Sequence, residues 1–69
     1  MDIRKRLGQN VQRLRRERGW SQKELADRTG LHRTYISGIE RGIRNPTVTI
    51  LERLADGLEC RIEDVVGGM

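Results

Sequence analysis

Apolar side chains recur along the chain at the spacing of helix faces. In the first eighteen residues they recur at steps of 4, 4 and 3, the period of one face of an α-helix, at Ile3, Leu7, Val11 and Leu14. Asp2 is a suitable N-cap, so the pattern predicts a first helix from Asp2 to about Arg18. Arg15 follows Leu14 and is expected nearer the buried side than the other basic residues. Gly8 within this helix costs up to ~1 kcal/mol relative to alanine.

A second, shorter helix is predicted after Ser21. Ser21 and Glu24 form the S-x-x-E pattern of a capping box, in which each side chain accepts a hydrogen bond from the other residue's backbone. Leu25 and Ala26 are expected to face inward. Gly30 ends the helix, because a chain that leaves a helix through a left-handed residue favours glycine.

A third helix is predicted from near His32 to Gly42, with Ile36 and Ile39 on its inner side. Two short helices joined by a tight, glycine-containing turn, here at about 21–41, form a helix-turn-helix, whose second helix fits the DNA major groove. The outward positions are mostly hydrogen-bonding side chains, as reading base edges requires: His32, Arg33, Thr34, Ser37, Gly38 and Arg41.

Two further helices are predicted in the last third of the chain. Pro46 prevents helix continuation at Asn45, and Thr47 is a suitable N-cap for a helix from Val48 to about Leu58. Its apolar positions are Val48, Leu51, Leu54, Ala55 and Leu58, with Ile50 as an additional member. The segment from Ile62 to Val66 is too short to be stable alone. Its apolar residues must therefore cover the core, a partner, or both.

The length and the charge distribution of the chain limit the number of domains and the kind of partner that it can bind. Sixty-nine residues allow one small domain, residues 1–69, with a net charge of +4. Residues 1–33 contain ten Lys and Arg against four Asp and Glu, whereas residues 34–69 contain four against six. A basic half on a small helical domain is typical of nucleic-acid binders, although a well-solvated surface is an equal explanation of the charge alone.

The sequence lacks the residues that a disulfide, a metal site or a catalytic nucleophile–base pair would require. One cysteine, Cys60, allows neither an internal disulfide nor a metal site, and one histidine with one cysteine supplies no nucleophile–base pair, so we expect no enzyme activity and no cofactor. Cys60 is interpreted as filling the gap between the last two helices; a redox sensor is the alternative. We find no signal peptide, membrane span or lipidation motif, and we expect a cytoplasmic protein without membrane or small-molecule ligand.

The sequence resembles the lambda-repressor-like helix-turn-helix domains of the Cro/C1 or XRE type. The resemblance covers residues 7–66 and rests on positions in register across four helices: Leu14-Arg15, Gly19-Trp20-Ser21-Gln22, Glu24-Leu25-Ala26, Gly30, Tyr35-Ile36-Ser37, Ile39-Glu40-Arg41-Gly42, Asn45-Pro46-Thr47 and Leu51-x-x-Leu54-Ala55. Within the family, RTYISGIER followed by RNPT is most similar to the controller proteins of restriction–modification operons.

The resemblance implies an all-α, compact five-helix bundle that binds operator DNA as a homodimer. It assigns base contacts to His32, Arg33, Thr34 and Ser37, and DNA-backbone contacts to Gln22, Tyr35, Arg41, Arg44, Asn45 and Thr47. It further implies a structural ion pair, Arg15 with Glu40, and a dimer interface on helix 5 (about 62–66) formed by Ile62, Val65 and Val66. Gly38 departs from the pattern: either one base contact is lost there, or the backbone approaches the DNA more closely.

The expected function is a sequence-specific transcriptional regulator, such as a repressor or a controller protein, on a two-fold symmetric operator in double-stranded DNA. RNA polymerase is a candidate partner, because a protein that occupies a promoter blocks or recruits the polymerase. The alternative is an antitoxin-type or phage-type helix-turn-helix protein whose main partner is another protein.

Overall fold

Five α-helices follow one another in residues 2–67, the part of the chain that the structure, a computed structural model, describes. They are α1 (Ile3–Glu17), α2 (Gln22–Thr29), α3 (Arg33–Glu40), α4 (Val48–Leu58) and α5 (Ile62–Val66). The predicted all-α fold class is confirmed. No helix among these residues combines the length and the apolar character needed to cross a membrane.

Local capping residues fix where α1, α2 and α4 begin. The Asp2 side chain accepts a hydrogen bond from the backbone N–H of Arg4 at 2.8 Å, and the Thr47 hydroxyl accepts one from Ile50 at 3.3 Å. Hydrogen bonds from the side chain and the backbone of Arg4 lower the pKa of the exposed Asp2 carboxyl. These caps satisfy N–H groups that have no partner within the helix. The predicted first residues of α1 and α4 are therefore confirmed.

The capping box predicted for α2 is only half present. The Ser21 hydroxyl accepts a hydrogen bond from the Glu24 N–H at 3.0 Å, as predicted. The Glu24 carboxylate instead binds Arg28 Nε at 2.9 Å, one helical turn further on. Among the described residues, the return hydrogen bond to Ser21 is therefore absent, because an ion pair competes for the carboxylate.

All five helices contribute to one apolar core. α1 packs against α3, α4 and α5, and α2 packs against α3 and α4. Burial of each large aliphatic side chain contributes ~1.5–3 kcal/mol. The buried members of the core are Leu7, Val11, Leu14, Leu25, Ala26, Ile36, Ile39, Leu54, Ala55, Leu58 and Val65.

Two residues on the predicted apolar faces lie outside this core. Ile3 is 65% exposed and Val48 is 71% exposed, although the helix period places both on inward faces. Each lies at the first residue of its helix, and the described residues leave most of its side chain uncovered. The period gives the direction of a side chain, but only the packing of the helices decides whether another element covers it.

Gly8 lies where α1 crosses the end of α3. A β carbon built on Gly8 would be 2.7 Å from the carbonyl oxygen of Glu40, and it would also clash with the carbonyl oxygen of Ile39. Both contacts are to backbone, which cannot move aside as a flexible side chain can. The glycine that weakens α1 as an isolated helix therefore allows the close approach of α3.

The short α5 is held to α1 by a buried asparagine. Asn10 Nδ2 donates a hydrogen bond to the carbonyl oxygen of Val65 at 2.9 Å and another to that of Gly67. Val65 is fully buried, and Ile62 packs against the edge of the core. A helix of five residues cannot persist alone, so these contacts fix its position.

Candidate nucleic-acid interface

The turn between α2 and α3 sets the angle at which α3 projects from the molecule. Gly30 ends α2 with a φ of +73°, a left-handed conformation that favours glycine. Only Gly30, Leu31 and His32 separate the two helices. Leu31 packs against the core and anchors this connection. The predicted helix-turn-helix is therefore present, with α3 as its second helix.

α3 presents polar side chains on the side opposite its buried isoleucines. Ile36 and Ile39 are fully buried, whereas Arg33 and Thr34 are exposed and Ser37 is half-buried. We call Arg33, Thr34, Ser37 and Gly38 the polar face of α3. Among residues 2–67, the Arg33 guanidinium has neither an ion pair nor a hydrogen bond, so its donors point to solvent.

His32 is the N-cap of α3. Its Nδ1 atom accepts a hydrogen bond from the Thr34 N–H at 3.2 Å. Because Nδ1 is the acceptor, the proton of the neutral imidazole is on Nε2. His32 therefore has a structural role and leaves an outward donor beside the polar face of α3.

The predicted ion pair between Arg15 and Glu40 is present. Arg15 Nε lies 2.7 Å from Glu40 Oε2, and Arg15 Nη2 lies 2.9 Å from Glu40 Oε1. The hydrogen bonds to Glu40 raise the pKa of Arg15, although burial opposes the shift. The two-point geometry fixes the end of α3 against α1, and with it the direction of the polar face.

Gln22, assigned by resemblance to the DNA backbone, already has a partner in the free protein. Its Nε2 atom donates to Glu40 Oε1 at 3.1 Å. The side chain thus lies at the start of α2, close to the end of α3. Unpaired N–H groups at a helix start also attract phosphate.

The segment between α3 and α4 carries the remaining candidate backbone contacts. Arg41 and Asn45 are exposed, and Arg41 has no side-chain partner among the described residues. The Thr47 hydroxyl serves as the cap of α4. Arg44 lies against α3, with its guanidinium carbon 5.3 Å from the centre of the Tyr35 ring. The half-buried Tyr35 ring therefore has a packing role between α3 and this segment.

The residues predicted to form a dimer interface lie in different environments. Val65 is fully buried within its own core, so its side chain has no surface for a partner, which corrects that assignment. Ile62 is partly buried, and Val66 is exposed. The residues of α5 alone left open whether Val65 covers the core or a partner, because so short a helix gives no period long enough to separate an inner from an outer side. The family resemblance assigned it to the partner.

An apolar crevice next to Val66 was not predicted. It lies between the start of α1, the segment before α4, α4 itself and the end of α5, and its lining residues are Ile3, Arg4, Leu7, Asn45, Pro46, Leu51 and Val66. The exposed Val48 lies one helical turn before Leu51. The sequence gives no signal of this surface, because its members belong to four separate segments.

Comparison with known proteins also identifies a helix-turn-helix domain. Residues 11–65 match the HTH_3 family model, described as helix-turn-helix. The chain is 52% identical to the HTH-type transcriptional regulator y4dJ of Sinorhizobium fredii (strain NBRC 101917 / NGR234), over 84% of this chain and 75% of the other. It is 44% identical to control protein C.SmaI of Serratia marcescens, over 90% of this chain and 74% of the other.

A solved structure connects the fold to DNA. The crystal structure of the restriction–modification controller protein C.Esp1396I, a tetramer in complex with its natural 35 base-pair operator, is similar to this chain with a TM-score of 0.84 and 39% identity, covering 88% of this chain and 80% of the other. The chain therefore belongs to the helix-turn-helix family and is a DNA-binding transcriptional regulator.

Proposed function

We propose that two copies of this chain bind a two-fold symmetric operator, with α3 of each copy in the major groove. The observation that carries the proposal is the polar face of α3: Arg33 and Thr34 are exposed and unengaged on a helix held rigidly by the buried Arg15–Glu40 pair. An arginine fork matches the O6 and N7 acceptors of guanine, and a threonine fits a thymine methyl group or a base edge.

Contacts to the DNA backbone position this helix. Gln22 at the start of α2 lies on one side of α3, and Arg41, Asn45 and Thr47 follow α3 in the chain. Such contacts fix register and orientation on the duplex, while base contacts supply specificity. His32, the exposed N-cap of α3, belongs to the proposed base contacts with Arg33, Thr34 and Ser37.

The apolar crevice supports a second copy of this chain as the partner. The exposed Ile3 and Val66 line it, and the exposed Val48 lies one helical turn before the lining residue Leu51. Burial of these side chains stabilises an association. C.Esp1396I, which is similar over most of this chain, binds its operator as a tetramer. A two-fold interface uses the same surface on both copies, so the operator is expected to contain half-sites ~10 bp apart, or a multiple of that distance.

The restriction–modification controller class is the proposed biological setting. C.Esp1396I carries that role in its name, C.SmaI is named a control protein, and both resemble the chain over nearly its whole described length. The gene next to that of this protein provides a direct check: a restriction enzyme or methyltransferase gene supports this setting, and a toxin gene supports the antitoxin alternative.

Selection of bound duplexes from a random-sequence pool tests the proposal. Binding at ~150 mM salt with excess non-specific competitor suppresses purely electrostatic association. We expect enrichment of a two-fold symmetric sequence with half-sites in phase with the groove. Enrichment of no sequence, or of a single asymmetric site bound by one copy, would contradict the proposal.

A further inference from the structure

Gly38 leaves a gap on the polar face of α3 that a neighbouring arginine fills. Gly38 lies one helical turn after Thr34, so it shares that face, yet the residue is buried. A β carbon built on Gly38 would be 2.8 Å from Cγ of Arg44 and 3.2 Å from its Nε. The aliphatic part of Arg44 therefore occupies the space that a side chain at position 38 would need.

The charged end of Arg44 is oriented but unpaired. Its guanidinium carbon lies 5.3 Å from the centre of the Tyr35 ring, a distance at which a cation and an aromatic face attract each other. Among residues 2–67, this guanidinium has no carboxylate partner and no hydrogen bond. Its donors are free to bind a ligand.

The position of Arg44 differs from that of an ordinary loop arginine. Contacts with Gly38 and Tyr35 hold the side chain on α3, the helix that enters the groove in the proposed function. A side chain held in place before binding loses less conformational entropy when it forms hydrogen bonds. The planar guanidinium can donate two parallel hydrogen bonds, which suits guanine O6 and N7 in the major groove.

We propose that Arg44 is a specificity-determining residue that contacts a guanine in each half-site, in place of the side chain that Gly38 lacks. The family resemblance assigns Arg44 to the DNA backbone instead. The proposal rests on the proposed function, because it requires α3 in the major groove. Gly38 acts as a positioning residue, since a larger residue there would displace Arg44.

Three variants test the proposal in the same random-pool selection: Arg44→Ala, Gly38→Ala and the double variant. We expect Arg44→Ala to relax the preference for guanine at one base pair per half-site by about 5- to 150-fold. We expect Gly38→Ala to relax the preference at that same base pair, because the added methyl carbon would lie 2.8 Å from Arg44 Cγ and displace that side chain. The double variant should be no less selective than Arg44→Ala alone, since the glycine acts only through the arginine.

Two controls separate specificity from folding and from charge. Thermal unfolding checks that Gly38→Ala is folded, which is expected because alanine favours a helix interior more than glycine. Arg16→Ala removes the same charge from the exposed side of α1, and should leave the preferred sequence unchanged.

Four results would overturn the proposal. Equal loss of affinity for every DNA sequence in Arg44→Ala would make this residue a backbone contact. A Gly38→Ala variant that keeps the wild-type sequence preference would show that the missing side chain at position 38 does not position Arg44. An effect of Gly38→Ala that persists in the absence of the Arg44 side chain would mean that the backbone itself approaches the DNA. Failure of the wild-type protein to enrich any sequence would reject the proposed function, and this inference with it.

Discussion

Glu40 and Arg15 form an ion pair that is almost completely removed from solvent. The exposed fractions of their side chains are 2% and 9%, respectively. Arg15 also donates through Nη1 to the Trp20 carbonyl oxygen at 2.7 Å, and Gln22 donates to Glu40. A buried charge without a partner is costly. Each of these two charges therefore needs the other in order to be buried here, and the pair adds little net stability of its own. It joins the ends of α1 and α3 to the start of α2.

Replacing Glu40 with alanine is expected to destabilise the protein. The change leaves the Arg15 guanidinium buried without a counter-charge, which costs ~3–5 kcal/mol. In a domain of this size each kcal/mol lowers the melting temperature by ~4–8 °C. Thermal unfolding monitored by circular dichroism measures the effect, and DNA binding should fall with it because α3 loses its support.

Glu52→Ala is the matched control for this prediction. Glu52 is exposed on α4 and has no ion pair among the described residues, so its removal should change stability by no more than ~0.5 kcal/mol. Equal melting temperatures for the two variants would contradict a structural role for the buried pair.

Arg33→Ala is expected to lose specificity at one base pair per half-site. A bidentate contact between arginine and guanine discriminates by ~1–3 kcal/mol, and alanine retains none of its donors. Binding to operators with single base-pair changes measures this loss, with Arg16→Ala as the charge-matched control. Equal loss on all operators would identify Arg33 as a phosphate contact.

Gly8→Ala is expected to destabilise the fold although alanine is the better helix former. The added β carbon would lie 2.7 Å from the carbonyl oxygen of Glu40, and overpacking of this kind costs ~1–3 kcal/mol. The helix-propensity gain of ~1 kcal/mol offsets only part of it. Urea unfolding compares this variant with Gln9→Ala, a change at an exposed neighbour that adds no contact. A Gly8→Ala protein more stable than the wild type would show that α1 and α3 can separate at little cost.

Val48→Glu is expected to weaken self-association without changing the stability of the monomer. Val48 is 71% exposed in the single chain, so the substitution disturbs no internal packing. Loss of a valine buried between two copies should raise the dimer Kd about 10-fold or more. Sedimentation equilibrium measures the dimer Kd. Thr49→Glu places the same charge one residue away, and a similar effect of both variants would place the interface elsewhere.

Cys60 is expected to react slowly with thiol reagents in the folded protein. Burial, and then the nearby Asp64, raises the pKa of its thiol, although Arg18 opposes the shift. The folded state thus favours the protonated thiol. Its contribution to the free energy of unfolding is fully present below the pKa that the thiol has in the unfolded chain, and it is lost as the pH rises through the pKa that the thiol has in the folded protein. Alkylation at pH ~8 should be several-fold slower than in denaturant. An equal or faster rate in the native protein would favour a redox role.

Helix positions were predictable because their determinants are local. Caps such as Asp2, Ser21 and Thr47, and breakers such as Gly30 and Pro46, act within a few residues of where they stand. The predicted helix boundaries accordingly lie within one or two residues of those observed. The Arg15–Glu40 pair was foreseen only through resemblance to known domains, since nothing local connects two residues twenty-five positions apart.

Residue environments at the helix ends were less predictable. Ile3 and Val48 follow the apolar period yet lie exposed, while Val65 was assigned to a partner yet is fully buried. Each outcome depends on whether a neighbouring element covers the helix at that point. The contact of Arg44 with Gly38 likewise depends on the path of the chain after α3.

The sequence by itself determined the helices, the turn between α2 and α3, and the chemistry of the side chains that α3 carries. These depend on backbone preferences and on periodicity, which act over a few residues. Only the tertiary structure decided which apolar residues remain exposed for a partner, why Gly8 is required, and where the Arg44 side chain lies. Those features arise from contacts between segments distant in the chain, whose geometry no local pattern encodes.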